Sequence, residues 1–319
     1  MMAIPSQAQQ SLSDSLPQFY EPQSKLINLS LTTIRDFGVA TQSDQFGNDH
    51  ADIRENLRRD FSARFPFYIK DGWALGLGFL YRHEQFRFED ITNTNYPLFQ
   101  QLENKGLRRT GFDVLFQRTT KNKHTIQGSF GIQFNGDTYK SRALLRLLKV
   151  SGVVIYSTQK SPRTEIGWGV LGGYDLGSPR IYPVFSYKHF FNKHLKLQMT
   201  LPRSVNLSYG FSNKMFLTFT TELSGASYHI VDELLEGFDN LQIRKSEVRA
   251  KLRFDREIHD WLWFGIEYGG LRYINFFVSD PQGFQDNEIV DLQPELTQFM
   301  KFSLYMTPPK KFLEAIKNR

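Results

Sequence analysis

The sequence predicts an all-β fold, a transmembrane antiparallel up-and-down β-barrel of about 14 strands (12–14), on three observations. Segment after segment alternates polar and apolar residues with a period of two. The connections between these segments are short and long in turn. Aromatics are dense, with 29 Phe and 14 Tyr, and tryptophans stand beside the short turns. Period two puts the two classes of side chain on opposite faces of a strand, whereas a helix would smear both around its circumference.

The cleanest segment covers residues 247–255. Its odd positions, Glu247, Arg249, Lys251, Arg253 and Asp255, are charged; its even positions, Val248, Ala250, Leu252 and Phe254, are apolar. Alternation resumes at Trp261, Trp263 and Glu267, so residues 247–268 form a hairpin with one apolar and one polar face.

In chain order, residues 1–23 are Ser/Gln/Pro-rich and are expected to be a flexible lead-in. Ser6-Gln7-Ala8 within them reads as the remnant of a signal-peptide cleavage site. The barrel is expected over 24–308. A first strand falls at about 25–37, with Leu29, Leu31 and Phe37. Phe61, Phe65 and Phe67 then oppose Ser62 and Arg64, and Leu75, Leu77 and Phe79 oppose Gly76, Gly78, Arg82 and Glu84. Phe112, Val114 and Phe116 oppose Arg109, Asp113 and Gln117; Ile126, Phe130 and Ile132 oppose Gln127, Ser129 and Gln133. The pattern continues through Val150 and Val154 against Lys149 and Ser151, Trp168 and Val170 against Glu165, and a strand near 180–191. Leu195, Leu197 and Met199 oppose Lys196, and Leu217, Phe219 and Leu223 oppose Thr218 and Glu222. Met300, Phe302 and Leu304 oppose Lys301 and Ser303 before Pro308-Pro309. A short basic tail, 309–319, closes the chain.

Short connections are expected at 70–72, 120–124, 159–163, 191–194, 212–214 and 256–260. Longer ones are expected at 38–57, 89–105, 138–145, 229–242 and 279–295, with brief ones at 177–180 and 202–204. An even strand count places both ends of the barrel on the short-turn side. Trp73, Trp261 and Trp263 read as an interfacial girdle.

Bulk composition bounds the alternatives. A mean hydropathy of −0.42 comes with no run approaching the roughly 18–20 apolar residues of a membrane helix, which leaves a barrel as the membrane-crossing option. Cysteine is absent, which removes disulfides, thiolate nucleophiles and Cys-based metal sites. The net charge of +6 is spread over many strands instead of concentrated in one run, so nucleic acid is not an expected partner.

Several stretches carry a likeness to a known group. Gly169-Val170-Leu171-Gly172-Gly173-Tyr174 leads into Pro179-Arg180-Ile181-Tyr182-Pro183. Leu201-Pro202-Arg203-Ser204 and Gly225-Ala226-Ser227-Tyr228 are the most distinctive pieces. Over the central and C-terminal two-thirds, the chain resembles a family of Gram-negative outer-membrane β-barrels of unknown function. The resemblance implies a fold and a compartment, the outer membrane, and transfers no catalytic residue. The chain departs from many such barrels in ending on Arg319 instead of an aromatic residue, so an equivalent assembly signal would lie near Lys301–Tyr305.

The expected functional surface is the barrel interior. Its candidates are Arg64, Arg82, Arg109, Asp113, Lys149, Lys196, Glu222, Glu247, Arg249, Lys251, Arg253 and Glu267. Rings of charge select solutes in pores, and the Arg249, Lys251, Arg253 ladder favours a polar or anionic solute. The competing reading is that these mixed charges pair across strands and simply fill the interior. The leading function is thus a pore or binding protein for small hydrophilic solutes. The alternatives are a non-conducting structural or assembly partner and, third, a lipid-modifying enzyme at Ser227-Tyr228-His229 near Glu222, a weak motif without an orienting acid. Asp232, Glu233, Glu236 and Asp239, and Asp280, Asp286, Glu288, Asp291 and Glu295, make two connections acidic without a regular cation-loop spacing. The chain reads as a monomeric non-enzyme without cofactor or metal, its surroundings being outer-membrane lipid and lipopolysaccharide.

Overall fold

A computed structural model describes residues 19–89, 97–120, 122–137, 144–174, 176–230, 241–282 and 285–309. The strands are β1 (Ile27–Gln42), β2 (Asp49–Lys70), β3 (Trp73–Glu89), β4 (Leu107–Thr119), β5 (His124–Gly136), β6 (Leu148–Ser161), β7 (Thr164–Gly173), β8 (Arg180–Phe190), β9 (Leu195–Leu201), β10 (Ser204–Ser212), β11 (Met215–Ile230), β12 (Leu241–His259), β13 (Leu262–Gln282), β14 (Gln285–Pro294) and β15 (Thr297–Met306). Two helices, α1 (Pro97–Lys105) and α2 (Leu144–Leu147), lie in connections. Sequence neighbours pair antiparallel around the sheet, and β1 closes it on β15 from Ile27↔Met306 to Ile34↔Phe299. β14 and β15 share one position: both lie between β13 and β1, interrupted only at Glu295-Leu296. The fold is therefore a closed transmembrane up-and-down barrel of 14 staves. Closure pairs the spanning part of each strand on both edges, a condition that lipid imposes on a spanning sheet.

Period two sorts the faces. Phe130 is 55% exposed and Trp168 65%, with Leu77, Phe112, Phe219 and Leu252 also outward, whereas Glu247 and Arg249 are buried inside. So continuous an outward apolar band has no place in water; its solvent is hydrocarbon. Among the described residues no helix is long and apolar enough to cross a membrane.

The wall is uneven. β2 has 22 residues and β13 has 21, but β9 has 7 and β10 has 9. About 9–11 tilted residues cross the hydrocarbon, so the β1–β3 and β11–β14 side rises well past it at the long-loop end. That rise holds an apolar cluster inside the barrel, including Ile34, Phe86, Tyr228, Ile243, Tyr273 and Phe299, with Leu98 and Phe99 of α1 packed in.

The upper halves of β11 and β12 are buried on both faces. Tyr228 and Ile243 join the apolar cluster, while Ser227, His229, Gln242 and Arg244 on the opposite face are buried too. His229 bridges to Gly136 of β5, and its carbonyl accepts from the Asp137 N–H at 3.3 Å. Ser246 Oγ donates to the Leu176 carbonyl at 2.8 Å, and Arg109 Nη2 to the Gly225 carbonyl at 3.0 Å. This hairpin leans across the mouth and rests on the β4–β8 side. A Cβ at Gly225 would overlap the backbone of Leu176 and Gly177, so the contact requires glycine there.

The short-turn end is crossed by residues 19–26. Phe19 stacks on Phe190 with centroids 4.1 Å apart, and the Tyr20 N–H donates to the Lys193 carbonyl at 3.0 Å. Glu21 pairs with Lys188 at 2.7 Å. Farther along, the Leu26 N–H donates to the Met306 carbonyl at 2.8 Å. The segment thus runs from β8–β9 to β15 as a strap.

Some expectations change. The lead-in drawn over 1–23 ends earlier, because 19–23 belong to this strap; residues 1–18, and 310–319 of the tail, lie outside the described residues. The long connection at 38–57 is mostly strand, since β1 continues to Gln42 and β2 begins at Asp49. That at 279–295 is β14, whose acidic residues sit on a strand pair. Both rise clear of lipid, with one face on the internal cluster and the other in water, so they lack the outward apolar row that marks a spanning segment. The acidic group 232–239 lies outside the described residues. Trp263 is 1% exposed and faces inward against Phe216 and Tyr305, so it is not part of a girdle.

Candidate functional site in the barrel interior

A belt of ion pairs ties the tall walls together across the interior. Arg58 of β2 is 1% exposed and donates through Nη1 and Nη2 to both carboxylate oxygens of Glu247 on β12, at 2.9 and 3.0 Å. Its Nε reaches Asn56 and Glu84, each at 3.0 Å, and Nη2 reaches the Tyr273 hydroxyl at 3.0 Å. Lys245 pairs with the second oxygen of Glu84. Arg249 pairs with Glu247, and Lys251 with Glu222 at 2.9 Å and Glu267 at 3.1 Å. Arg253 pairs with Glu267 and grips Asp255, which accepts from the Tyr305 hydroxyl at 2.8 Å. Arg82 pairs with Asp60, and Lys301 stands 3.9 Å from the same carboxylate. Charges withdrawn from water at this depth require partners, and here seven bases meet six acids.

The candidates on this side, Arg82, Glu222, Glu247, Arg249, Lys251, Arg253 and Glu267, are thus one paired network. Lys149 lies apart, its ammonium 4.7 Å from the Tyr174 ring. Lys196 faces Glu21 of the strap at 3.9 Å. Sequence reading missed Arg58, Asp60, Lys245 and Lys301 as partners, and Glu21 altogether. Counting the same alternation back two or four residues from Ser62 and Glu247 reaches Asp60, Arg58 and Lys245, so their face was readable. The strap offered no periodic signal.

The described residues do not fill the opposite side, β2–β7. It keeps a cavity of about 250 Å³ lined by Arg64, Arg109 and Asp113, by Gln117, Gln127 and Gln133, and by Arg203 from the turn between β9 and β10. Leu115, Val153 and Leu171 supply apolar wall. Arg203 is held by backbone: its N–H donates to the Thr200 carbonyl, and its carbonyl accepts from Leu223, both at 2.8 Å. Asp113 lies over glycines, its Oδ2 3.3 Å from where a Cβ of Gly78 would stand; a Cβ at Gly131 would overlap Oδ1. A larger hollow of about 560 Å³, between β1, β2, β13 and β15, is lined on the lipid face by Leu29, Phe61, Phe302 and Leu304. It is more apolar than the interior cavity and meets acyl chains, so the chemistry lies inside.

Ser227 does not make a hydrolytic pair with His229. Its hydroxyl donates to Gln242 Oε1 at 3.0 Å in a fully buried setting, and Glu222 lies on the other face of β11. No group of three or more metal-ligating side chains occurs among the described residues.

These features define a class: a transmembrane β-barrel whose interior is part ion-paired filling and part polar cavity. The chain belongs to the family described as "Domain of unknown function (DUF6268)", which matches residues 49–279. None of the curated proteins compared with the chain matches it. Among solved structures it is similar to the Pseudomonas putida toluene transporter TodX, at 8% identity and TM-score 0.40 over 90% of this chain and 91% of that one. It is also similar to the COG4313 outer membrane channel from Pseudomonas putida F1, at 6% and 0.42 over 91% and 99%. A Pseudomonas aeruginosa FadL homologue gives 9% and 0.42 over 88% and 90%. Likeness at this level says nothing about cargo.

Proposed function

We propose that the protein resides in the outer membrane of a Gram-negative bacterium, with its short turns toward the periplasm, and passes or binds small hydrophilic solutes. The observation that carries this is the polar cavity on the β2–β7 side, beside a half already filled by paired charge. Eight staves hold only side chains and 16–18 leave a water channel, so a 14-stave barrel filled on one side has room for a narrow path. The path is constricted by the hairpin leaning over the mouth and by the strap below. Lipid and lipopolysaccharide are its surroundings, and the closed 14-stave sheet functions as a monomer without catalysis.

A second reading has its own support: the Arg58–Glu247 bridge and the strap suit a non-conducting barrel that serves as a structural or assembly partner. Single-channel recording in planar bilayers separates the two. The passage reading expects small steps from the native barrel and larger ones from the strap variant Phe19→Ala/Glu21→Gln. A folded, inserted barrel that conducts in neither form leaves the structural reading standing.

A further inference from the structure

We propose that the outer face of β2–β4, with the hollow beside it, holds one lipopolysaccharide molecule: a headgroup phosphate on Arg59, His83 and Arg108, and an acyl chain in the hollow. The site rests on the placement proposed above, short turns toward the periplasm, which puts the far ends of these strands in the outer leaflet. Arg59, His83 and Arg108 stand directly opposite one another on three adjacent strands. Strands lie about 4.8 Å apart, so the row spans about 10 Å. Arg59 and His83 are about 10–11 residues up from the turn between Lys70 and Trp73, where about 9–11 tilted residues have crossed the hydrocarbon. Below them on the same outward face come Phe61, Tyr81 and Phe112. The row is therefore at the border between acyl chains and headgroups.

The charge of the row fits phosphate. The Arg59 and Arg108 charges both act on His83. Arg59 Nη1 donates to Gln85 Oε1 at 2.9 Å, which fixes the guanidinium through one of its five N–H groups. Among the described residues none of the three pairs with a carboxylate: Glu84, beside His83, points inward to Arg58 and Lys245, and Glu55 pairs with Arg87 at 3.3 Å. Basic clusters at a membrane border bind anionic headgroups, and a guanidinium takes phosphate in two parallel hydrogen bonds. The hollow of about 560 Å³ continues from this row, because Arg59 is part of its lining. Ile266, Phe302, Leu31 and Arg59 are opposed in one line of register. Leu31 and Phe302 are only four residues from the short-turn ends of β1 and β15, so on tilted strands that line descends from the border into hydrocarbon. Head and tail of one phosphorylated lipid thus have adjoining places. Phosphatidylethanolamine would bring an ammonium to a row without an acid; lipopolysaccharide brings phosphate on a sugar backbone.

The test is native mass spectrometry of the full-length barrel in detergent, titrated with deep-rough lipopolysaccharide, folding being checked by heat-modifiable gel mobility. One lipopolysaccharide per barrel is expected, bound at least tenfold more tightly than phosphatidylethanolamine or enzymatically dephosphorylated lipopolysaccharide. Arg59→Gln and Arg108→Gln should each weaken it about tenfold, the worth of one charge-assisted contact. Leu31→Trp, which fills the hollow and leaves the charge alone, should weaken it about threefold or more. Equal binding of phosphatidylethanolamine overturns the proposal, as does displacement by equimolar inorganic phosphate, or a folded Arg59→Gln/Arg108→Gln barrel that binds lipopolysaccharide unchanged. A doubled barrel mass that this double variant abolishes would give the face to a second copy of the chain and overturn it too. A barrel that holds lipopolysaccharide yet never conducts keeps the site and loses the passage; one that conducts and ignores lipopolysaccharide loses the site alone.

Discussion

The bridge from Arg58 to Glu247 makes a sharp energetic test, because it joins walls four staves apart through the interior. Replacing Arg58 by Met strands two carboxylates, Glu84 and Glu247, that are almost wholly buried. Breaking one side of a buried pair costs about 3–5 kcal/mol. Lys245 remains on Glu84 and Arg249 on Glu247, so the lower end, about 3 kcal/mol, is expected. Glu247→Gln removes the charge and replaces one of the two acceptor oxygens by an amide donor facing the guanidinium, and should cost about as much. Because the two side chains share those bonds, the double variant should lose at least about 1.5 kcal/mol less than the sum of the singles. Arg59→Met is the control: Arg59 points outward to Gln85 in an exposed contact, and its loss should stay within about 0.5 kcal/mol. The assay is urea unfolding of the barrel in phospholipid vesicles, followed by tryptophan fluorescence. If the Arg58 and Glu247 changes add to within about 0.5 kcal/mol, the two residues are not joined, and the filled half of the interior falls with them.

Two further perturbations probe the lipid face and the mouth. Phe130→Arg, midway along outward β5, should cost about 2–4 kcal/mol in the same unfolding assay, whereas Phe211→Arg beside a short turn should cost about 0–1 kcal/mol; equal costs would mean that these faces do not cross a bilayer as described. Gly225→Val should lower stability by about 1–3 kcal/mol and reduce the heat-modifiable fraction, since its side chain enters the backbone of Leu176 and Gly177; an unchanged urea midpoint would separate the hairpin from that loop.

Much of the barrel was legible because lipid imposes a single rule on both faces of every spanning strand. Val248, Leu252 and Phe130 had to be apolar, their neighbours were free to be polar, and the period survived tertiary context. Where strands leave the lipid, the rule lapses. β1 beyond Phe37, the start of β2 and β14 are paired strands that read as loops, because one face meets water and the other an internal cluster. Trp263 failed as a girdle residue for a related reason: nearness to a turn says nothing about which face a ring takes.

The interior shows what alternation does not encode. Arg249 and Arg64 look alike in the sequence, each an inward base on a regular strand. Yet Arg249 stands among Glu247 and Glu222, while Arg64 shares a cavity with Arg109, Arg203 and Asp113. The difference comes from the opposite wall: β2 and β12 approach closely enough for Arg58 to span them, whereas β4–β7 face short β9 and β10, whose turn contributes Arg203. Two of the distinctive family-like stretches fall at these points. Arg203 stands in Leu201-Pro202-Arg203-Ser204 at the cavity, and Gly225 opens Gly225-Ala226-Ser227-Tyr228 where the hairpin meets the loop at Leu176. Each residue answers to a partner distant in the chain, so its meaning emerges only once the barrel is closed. Closure also decides which inward charges meet: the belt binds wall to wall through Arg58 and Glu247, and Arg64, Arg109 and Arg203 come together with Asp113 around the cavity.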